Sequence, residues 1–296
     1  MEFKAVDRRL HGKSVLEQAR LAQMYLLDVF AEICEKYGLR YFLSDGTLIG
    51  AMRHAGYIPW DDDIDVGMPI DDYKRFIRLA PDVLPSNLLL DHSSQIVGTA
   101  GCYAKIRDRS SFFCERNSMI EVPCGIFIDI FPYEKLPVLP GKVFDAIWRW
   151  CALSAWSYRA YLRMLHRNTF CILRSALMSV FWNLAHLFLR GIILSLKMLG
   201  RNRWKNAPEN DINQMVHGVS DADLFPTKPH AFEDRQYQVP NNADLFLTEK
   251  FGDWRKLPPE KDRVWHADII CPTKAPRAWW AMPYKSNAEN LGGDVA

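Results

Sequence analysis

Four of the five residues in the segment 61–65 are aspartates, and this cluster is the best candidate for chemistry in the sequence. Carboxylates this close repel one another, so the cluster is costly unless a cation lies among them. Ile64 and Val66 are β-branched and apolar, which predicts that the acids run into a strand and do not form a solvated acidic loop. On a strand, Asp63 and Asp65 would share one face and could bind one hard cation, such as Mg²⁺, through their oxygens.

A single aspartate, Asp129, interrupts the apolar run at 126–131. An isolated ionised carboxylate in a buried strand is expensive. Asp129 should therefore be bound to a metal, or be satisfied by a structural partner such as an arginine or a backbone amide. Both alternatives stay open at the level of the residues.

The segment 44–47, Ser-Asp-Gly-Thr, is a third candidate. A glycine-containing turn between a strand and a helix can present backbone N–H groups to a phosphate. Asp-Gly turns are also common where no ligand binds. The position of this turn shortly before Asp63 favours phosphate binding at Gly46 and Thr47.

Several basic residues could meet a diphosphate, namely Arg53, His54, Lys105 and Arg107. Lys105 and Arg107 would share a face if they lie on a strand. Arginine binds phosphate through two parallel hydrogen bonds, whereas lysine acts as a point charge. Each of them could equally be an ordinary surface cation. His266 is either a residue of the site or the cap of a turn.

Alternating helices and strands must position these residues. The predicted strands are rich in apolar and β-branched residues and lie at 39–43, 64–68, 88–90, 100–106 and 125–131. The predicted helices have apolar residues at helical spacing and lie at 14–37, 48–53, 69–80 and 242–251. Gly38 predicts the end of the first helix. This order indicates an α/β (α+β) fold, a mixed sheet flanked by helices.

We expect one catalytic domain over residues 1–296, with a helical insertion at about 140–207. Residues 200–230 look polar and irregular, and the tail at 272–296 looks loosely ordered. Between Arg174 and Arg190 no residue carries a formal charge, but this run is shorter than the roughly 20 residues that a spanning helix needs. It is either a buried core helix or an interfacial helix whose basic flanks contact anionic lipid.

Composition argues against several classes of protein. Of 296 residues, 49% are hydrophobic and 24% are charged, as in a globular protein. The net charge of +2 gives no basic field for a nucleic-acid partner. The seven cysteines form no CxxC motif, which argues against a disulfide framework or a zinc site and favours a reducing cytosol. The first residues are polar and contain no apolar signal core.

Five motifs carry a resemblance to a known family: GTLIGAMRH at 46–54, GYIPWDDDIDVGM at 56–68, GIFIDIFP at 125–132, KFGDW at 250–254 and LPP at 257–259. With these motifs the chain resembles the LicD family, relatives of fukutin and fukutin-related protein, within the nucleotidyltransferase superfamily. The resemblance covers roughly 15–135 and 230–268. In the late motif, Phe251 stands where the family usually has tyrosine.

The resemblance implies a nucleotidyltransferase-like fold and an enzyme that moves a phosphorylated alcohol, such as phosphocholine or ribitol phosphate. The donor would be a CDP-alcohol and the acceptor a hydroxyl of a cell-surface glycan or its lipid-linked precursor. Asp63, Asp65 and Asp129 are implied as catalytic ligands of Mg²⁺ or Mn²⁺, and Gly46-Thr47 corresponds to the superfamily's Gly-Ser turn. We expect a cytoplasmic enzyme, peripheral to the inner face of the membrane through 148–203.

Two alternatives remain at this stage. The first is a nucleotidyltransferase that acts on a small molecule or a protein through the same metal site. The second is a catalytically inactive scaffold in a glycan pathway, against which the intact acids speak. Release of CMP, release of pyrophosphate, or no turnover would distinguish the three functions.

Overall fold

Strands and helices alternate along the chain in the computed structural model, which describes residues 2–92, 103–115, 125–137, 202–206, 218–263, 265 and 267–274, together with the helical positions 184, 188 and 195. The helices are α1 Val15–Tyr37, α2 Asp45–His54, α3 Ile70–Val83, α4 Asp221–Leu224 and α5 Ala243–Phe251. The strands are β1 Phe42–Leu43, β2 Asp65–Pro69, β3 Leu88–His92, β4 Ala104–Asp108, β5 Phe112–Glu115, β6 Phe127–Pro137, β7 Asn202–Asn206, β8 Lys228–Phe232, β9 Arg235–Val239 and β10 Ala267–Cys271.

A mixed sheet of six strands organises the fold, with the order β1-β2-β6-β4-β3 and with β7 paired to β6. β2 and β6 run parallel, and the other pairs in this sheet are antiparallel. The strands β8 and β9 form one separate antiparallel pair, and β5 and β10 form another. The α/β mixed sheet predicted from the sequence is therefore confirmed.

The two faces of the central strands differ in polarity because side chains alternate along each strand. On the inner face Val66 lies opposite Ile130 in register, and both are fully buried. Phe30 of α1 and Phe76 of α3 belong to the same core, and their rings meet edge to face with centroids 5.2 Å apart. The other face of the same strands carries charged residues.

The boundaries of α1 follow from capping chemistry. The Ser14 side chain accepts a hydrogen bond from the Glu17 backbone N–H, as an N-cap residue does. Gly38 ends the helix in the left-handed conformation at φ 61°, which glycine adopts without a Cβ clash. The helix predicted at 14–37 is therefore confirmed at both ends.

Two expectations about local structure were wrong. Helix α2 begins at Asp45, so Gly46 and Thr47 lie in its first turn and not in a turn that precedes it. Residues 200–230 are not irregular throughout, because β7 lies within them and β8 begins at Lys228. The sequence did not predict β7 because this strand depends on pairing with residues 133–137 of β6, which are distant in the sequence.

The predicted helical insertion at about 140–207 falls mostly outside the described residues. Its last part is a strand, since β7 pairs antiparallel with β6 at 202–206. Of the predicted tail, residues 275–296 also lie outside the described part. Within the part of the chain that the structure describes, no helix is long and apolar enough to cross a membrane.

Candidate active site

A row of charged residues crosses four neighbouring strands on the polar face of the sheet. Asp65 of β2 lies opposite Asp129 of β6, which lies opposite Lys105 of β4, which in turn lies opposite Asp91 of β3. All four are buried. Because side chains in register on one face are neighbours, this row brings together charges that are far apart in the sequence.

The carboxylates of Asp63, Asp65 and Asp129 form a cluster in which the ligand oxygens all lie within 4.8 Å of one another. The backbone N–H of Asp129 donates to Ile64 O at 2.7 Å, which locks the two strands in this register. The predicted partnership between the acid pair and the distant third acid is thus present in the geometry.

Electrostatics make this cluster unfavourable without a cation. The pKa of Asp65 is raised well above its ordinary value, first by burial and then by repulsion from neighbouring carboxylates, of which Asp63 contributes most. Three converging carboxylates offer the oxygen ligands that a hard divalent cation prefers. The donor set therefore fits Mg²⁺ or Mn²⁺, with Asp63, Asp65 and Asp129 as the ligands.

Lys105 supplies positive charge beside this cluster. Its Nζ lies 3.0 Å from Asp129 Oδ1 and 3.4 Å from the centroid of the Phe127 ring. Arg107 was predicted to share a face with Lys105, and it does, but its Nε contacts Asp91 Oδ2 at 2.6 Å. Of the two predicted phosphate-binding cations, Lys105 is therefore in contact with the carboxylate cluster, whereas Arg107 is paired with Asp91.

The first turn of α2 lies directly against the acids. The Thr47 hydroxyl accepts a hydrogen bond from the Asp65 backbone N–H at 2.8 Å. A Cβ added at Gly46 would lie 2.8 Å from Asp61 Oδ2 and 3.8 Å from Asp65 Oδ2, so a larger residue would displace the Asp61 carboxylate and contact that of Asp65. Because Gly46 has no side chain, the backbone of α2 can approach the carboxylates closely. The Thr47 hydroxyl holds the backbone of Asp65 in position.

The acidic loop is held from behind by α1. The Arg20 guanidinium donates to Asp61 O at 2.7 Å and to Ile58 O at 2.9 Å, and the Gln23 amide donates to Asp62 O at 2.7 Å. Neither Arg20 nor Gln23 was predicted from the sequence. Their only signal is a polar position within an otherwise apolar helix face.

Residues from the end of the chain complete the site. Asp62 Oδ2 accepts from the Ala267 backbone N–H at 2.9 Å, which ties β10 to the acidic loop. Lys250 of α5 forms an ion pair with Asp45, the first residue of α2. Lys250 lies in the motif KFGDW, but its contact with Asp45 was not predicted from the sequence. His266 lies outside the described residues.

Arg53 lies at the far end of α2 from Gly46. Its Nη1 donates to Trp254 O at 3.0 Å, and its Nε donates to His54 Nε2 at 3.0 Å. The Trp254 indole N–H in turn donates to Asp244 Oδ1 at 3.1 Å. The late motif therefore packs along α2, and the structure brings together motifs that the sequence separates by about two hundred residues.

This combination defines an α/β protein with a cluster of three carboxylates that could hold a cation at the junction of two parallel strands. Residues 38–148 match the family model described as "LicD/FKTN/FKRP, nucleotidyltransferase domain". This match supports the resemblance to the LicD/fukutin family over residues 38–148.

Individual relatives extend the match beyond that domain. The chain is 29% identical over 270 residues to the lipopolysaccharide cholinephosphotransferase LicD of Haemophilus influenzae, which covers 86% of this chain and 96% of the relative. Human ribitol 5-phosphate transferase FKRP is 48% identical over 40 residues, 14% of this chain and 8% of that protein. Human ribitol-5-phosphate transferase FKTN is 42% identical over 55 residues, 19% of this chain and 12% of that protein. All three names denote transferases.

Proposed function

We propose that this protein transfers a phosphorylated alcohol, such as phosphocholine or ribitol phosphate, from a CDP-alcohol to a hydroxyl of a cell-surface glycan or its lipid-linked precursor. The cluster of Asp63, Asp65 and Asp129 beside Lys105 is the observation that carries this proposal. The match over 96% of a lipopolysaccharide cholinephosphotransferase supports the same class of reaction.

Mg²⁺, or Mn²⁺ in its place, would be held by Asp63, Asp65 and Asp129 and would supply neutralisation of the donor diphosphate and of the CMP that leaves. Thr47 keeps Asp65 in place through its backbone N–H. Gly46 leaves the space beside the carboxylates free of side-chain atoms.

The chemical step forms one bond and breaks another. The acceptor oxygen bonds to the phosphorus that carries the alcohol, the bond from that phosphorus to the CMP oxygen breaks, and CMP leaves with the electron pair. Asp129 takes the proton of the acceptor hydroxyl as the general base. Lys105 holds Asp129 in position and adds positive charge next to the phosphate oxygens.

Radiolabelled CDP-choline, CDP-ribitol and CDP-glycerol, each with a deacylated glycan acceptor and Mg²⁺, test this function directly. We expect transfer of the alcohol phosphate with release of CMP from at least one donor. Asp63→Asn, Asp65→Asn and Asp129→Asn should each lower the transfer rate by about a thousandfold or more, since they remove charge from the site where charge is neutralised.

The matched control is Asp82→Asn, which changes an exposed aspartate of α3. This variant should keep the wild-type rate, and circular dichroism should show all variants folded. Full activity of a folded Asp65→Asn variant would contradict the proposed site. Pyrophosphate in place of CMP as the product would indicate nucleotidyl transfer instead.

Cytoplasmic location and peripheral membrane contact through 148–203 stay predictions. Within that segment the structure describes the helical positions Leu184 and Phe188, which are 62% and 70% exposed. Exposed apolar side chains at helical positions would be compatible with peripheral contact at a membrane surface near a lipid-linked acceptor.

A further inference from the structure

Two arginines, Arg53 and Arg263, bind one short segment at the outer end of α2, since Arg53 Nη1 donates to Trp254 O and Arg263 Nε donates to Pro258 O, both at 3.0 Å. Burial lowers the pKa of Arg53 first, and the positive charge of Arg263 lowers it further. The Arg263 guanidinium stacks over the Trp60 ring, 4.6 Å from its centroid, and its Nε donates to Pro258 O at 3.0 Å. Within the described parts of the chain, no carboxylate forms an ion pair with either arginine.

Both arginines are partly exposed, and they differ from the buried cations of the described structure, which have acidic partners. Lys105 pairs with Asp129, Arg107 with Asp91 and Arg9 with Asp108. Two neighbouring guanidinium groups without an acidic partner repel each other, and the repulsion is relieved when an anion lies between them. Among the described residues, the acceptors His54 Nε2, Trp254 O and Pro258 O use only part of the N–H donors of the two arginines.

The location of the pair relates it to the acids. Gly46 and Arg53 are seven residues apart in α2, so they lie on the same helix face at about 10 Å along the axis. Gly46 adjoins the carboxylates, and Trp60 immediately precedes Asp61 in the acidic loop. The arginine pair therefore lies on the same side of α2 as the acids, about two helical turns from them.

We propose that Arg53 and Arg263 form a second anion subsite, which binds a phosphate group of a substrate about 10 Å from the carboxylate cluster. Guanidinium groups donate parallel hydrogen bonds to phosphate oxygens, and stacking on Trp60 orients the Arg263 fork. The phosphate would come either from the donor diphosphate or from an anionic group on the acceptor. A phosphate group from either source would accept the same hydrogen bonds from the two arginines.

Isothermal titration of inorganic phosphate into metal-free protein tests the subsite without any turnover. Wild type and Asp65→Asn should both bind phosphate, whereas Arg263→Gln should weaken binding by about tenfold or more, as expected for the loss of a charge-assisted hydrogen bond. The phosphate affinity of Arg263→Lys should lie between those of the wild type and Arg263→Gln, because lysine keeps the charge and loses the planar guanidinium that donates parallel hydrogen bonds.

Arg78→Gln, an exposed arginine of α3, is the matched control and should bind phosphate as wild type does. Wild-type affinity in folded Arg263→Gln and Arg53→Gln variants would overturn the subsite, and so would the absence of phosphate binding by the wild type. None of these outcomes depends on the proposed function.

A kinetic comparison, which rests on the proposed function, identifies the source of the phosphate. A raised KM for the CDP-alcohol in Arg263→Gln assigns the subsite to the donor, and a raised KM for the glycan assigns it to the acceptor. In both cases kcat should change little, because the arginines do not contact the reacting atoms. If neither KM changes, the subsite does not serve a substrate and the proposal is wrong.

Discussion

Asp65 is a buried carboxylate among other carboxylates, and its environment decides how the site responds to protons and metal. Burial raises its pKa most, followed by Asp63, Asp45, Asp129 and Asp61. The folded protein without metal therefore binds a proton at Asp65 more tightly than the unfolded chain does. It follows that the free energy of unfolding falls as pH rises from the unfolded pKa towards the raised folded pKa.

We predict that Asp65→Asn flattens this pH dependence. In metal-free buffer, the variant should be more stable than wild type at neutral pH, because it lacks the ionised carboxylate whose burial is unfavourable. Urea denaturation across the acidic to neutral range measures the difference. Mg²⁺ should stabilise the wild type and have less effect on the variant.

Asp82→Asn serves as the control for this experiment, since Asp82 is exposed on α3. Its pH profile should follow that of the wild type. If Asp65→Asn had the wild-type profile, Asp65 would not be the carboxylate that takes up the proton.

At the scale of elements, α2 is the helix that connects the separate parts of the site. Its Thr47 hydroxyl contacts the backbone of β2, and Asp45 pairs with Lys250 of α5. Gly46 and Gly50 allow the returning chain at 56–61 to cross one face of the helix at close range. The two glycines meet different atoms, so their substitution should have different effects.

We predict that Gly46→Ala lowers activity and Gly50→Ala lowers stability. The new Cβ at 46 would lie 2.8 Å from the Asp61 carboxylate and would displace it, which should reduce transfer by about a hundredfold. The new Cβ at 50 would lie 2.4 Å from the Gly56 backbone oxygen, an overpacking that should cost about 1–3 kcal/mol. Initial rates and urea denaturation of both variants measure the two effects.

Each variant controls for the other. A Gly46→Ala protein that loses stability without losing activity would show that residue 46 has only a packing role. Wild-type stability in Gly50→Ala would show that the loop at 56–61 can move away from the helix at little cost in free energy.

At the scale of the whole molecule, the two ends of the described chain meet at the end of β4. The Arg9 guanidinium contacts the buried Asp108 carboxylate at the end of β4 and donates to Pro272 O at 2.8 Å. Pro272 follows β10, and β10 is joined to the acidic loop through Asp62. The N-terminal segment therefore anchors β10, and β10 in turn holds the acidic loop of the site.

We predict that Arg9→Met lowers the free energy of unfolding by about 3–5 kcal/mol, because it leaves the buried Asp108 carboxylate without its cation. Urea denaturation measures the loss. Amide exchange in 267–271 should also become faster than in the wild type, since β10 loses its anchor.

The neighbouring residue provides the control. Arg8 pairs with Asp234 at 2.8 Å, but the side chains are 35% and 58% exposed. Solvent screening reduces the value of such a pair, so Arg8→Met should cost at most about 1 kcal/mol. Equal losses in the two variants would show that burial of Asp108 is not the reason for the effect of Arg9.

Local patterns predicted the elements well where the chain's own periodicity defines them. The helix at 14–37 and the short helix that ends at Phe251 were confirmed. Strand β7 and the hairpin formed by β8 and β9 were not predicted, since their residues are largely polar or exposed and depend on pairing with a neighbouring strand. Pairing partners are not encoded in a local window.

The sequence by itself predicted the carboxylate pair from alternation along a strand. In the structure β2 begins at Asp65, so Asp63 lies in the loop before the strand, yet its carboxylate still joins the cluster. The family motifs further indicated Asp129 as the third acid. Only the tertiary structure decided which charges meet, since the register of β2, β6 and β4 sets Asp129 between Asp65 and Lys105. Contacts between distant segments require the whole chain to be packed, and no single stretch of sequence specifies them.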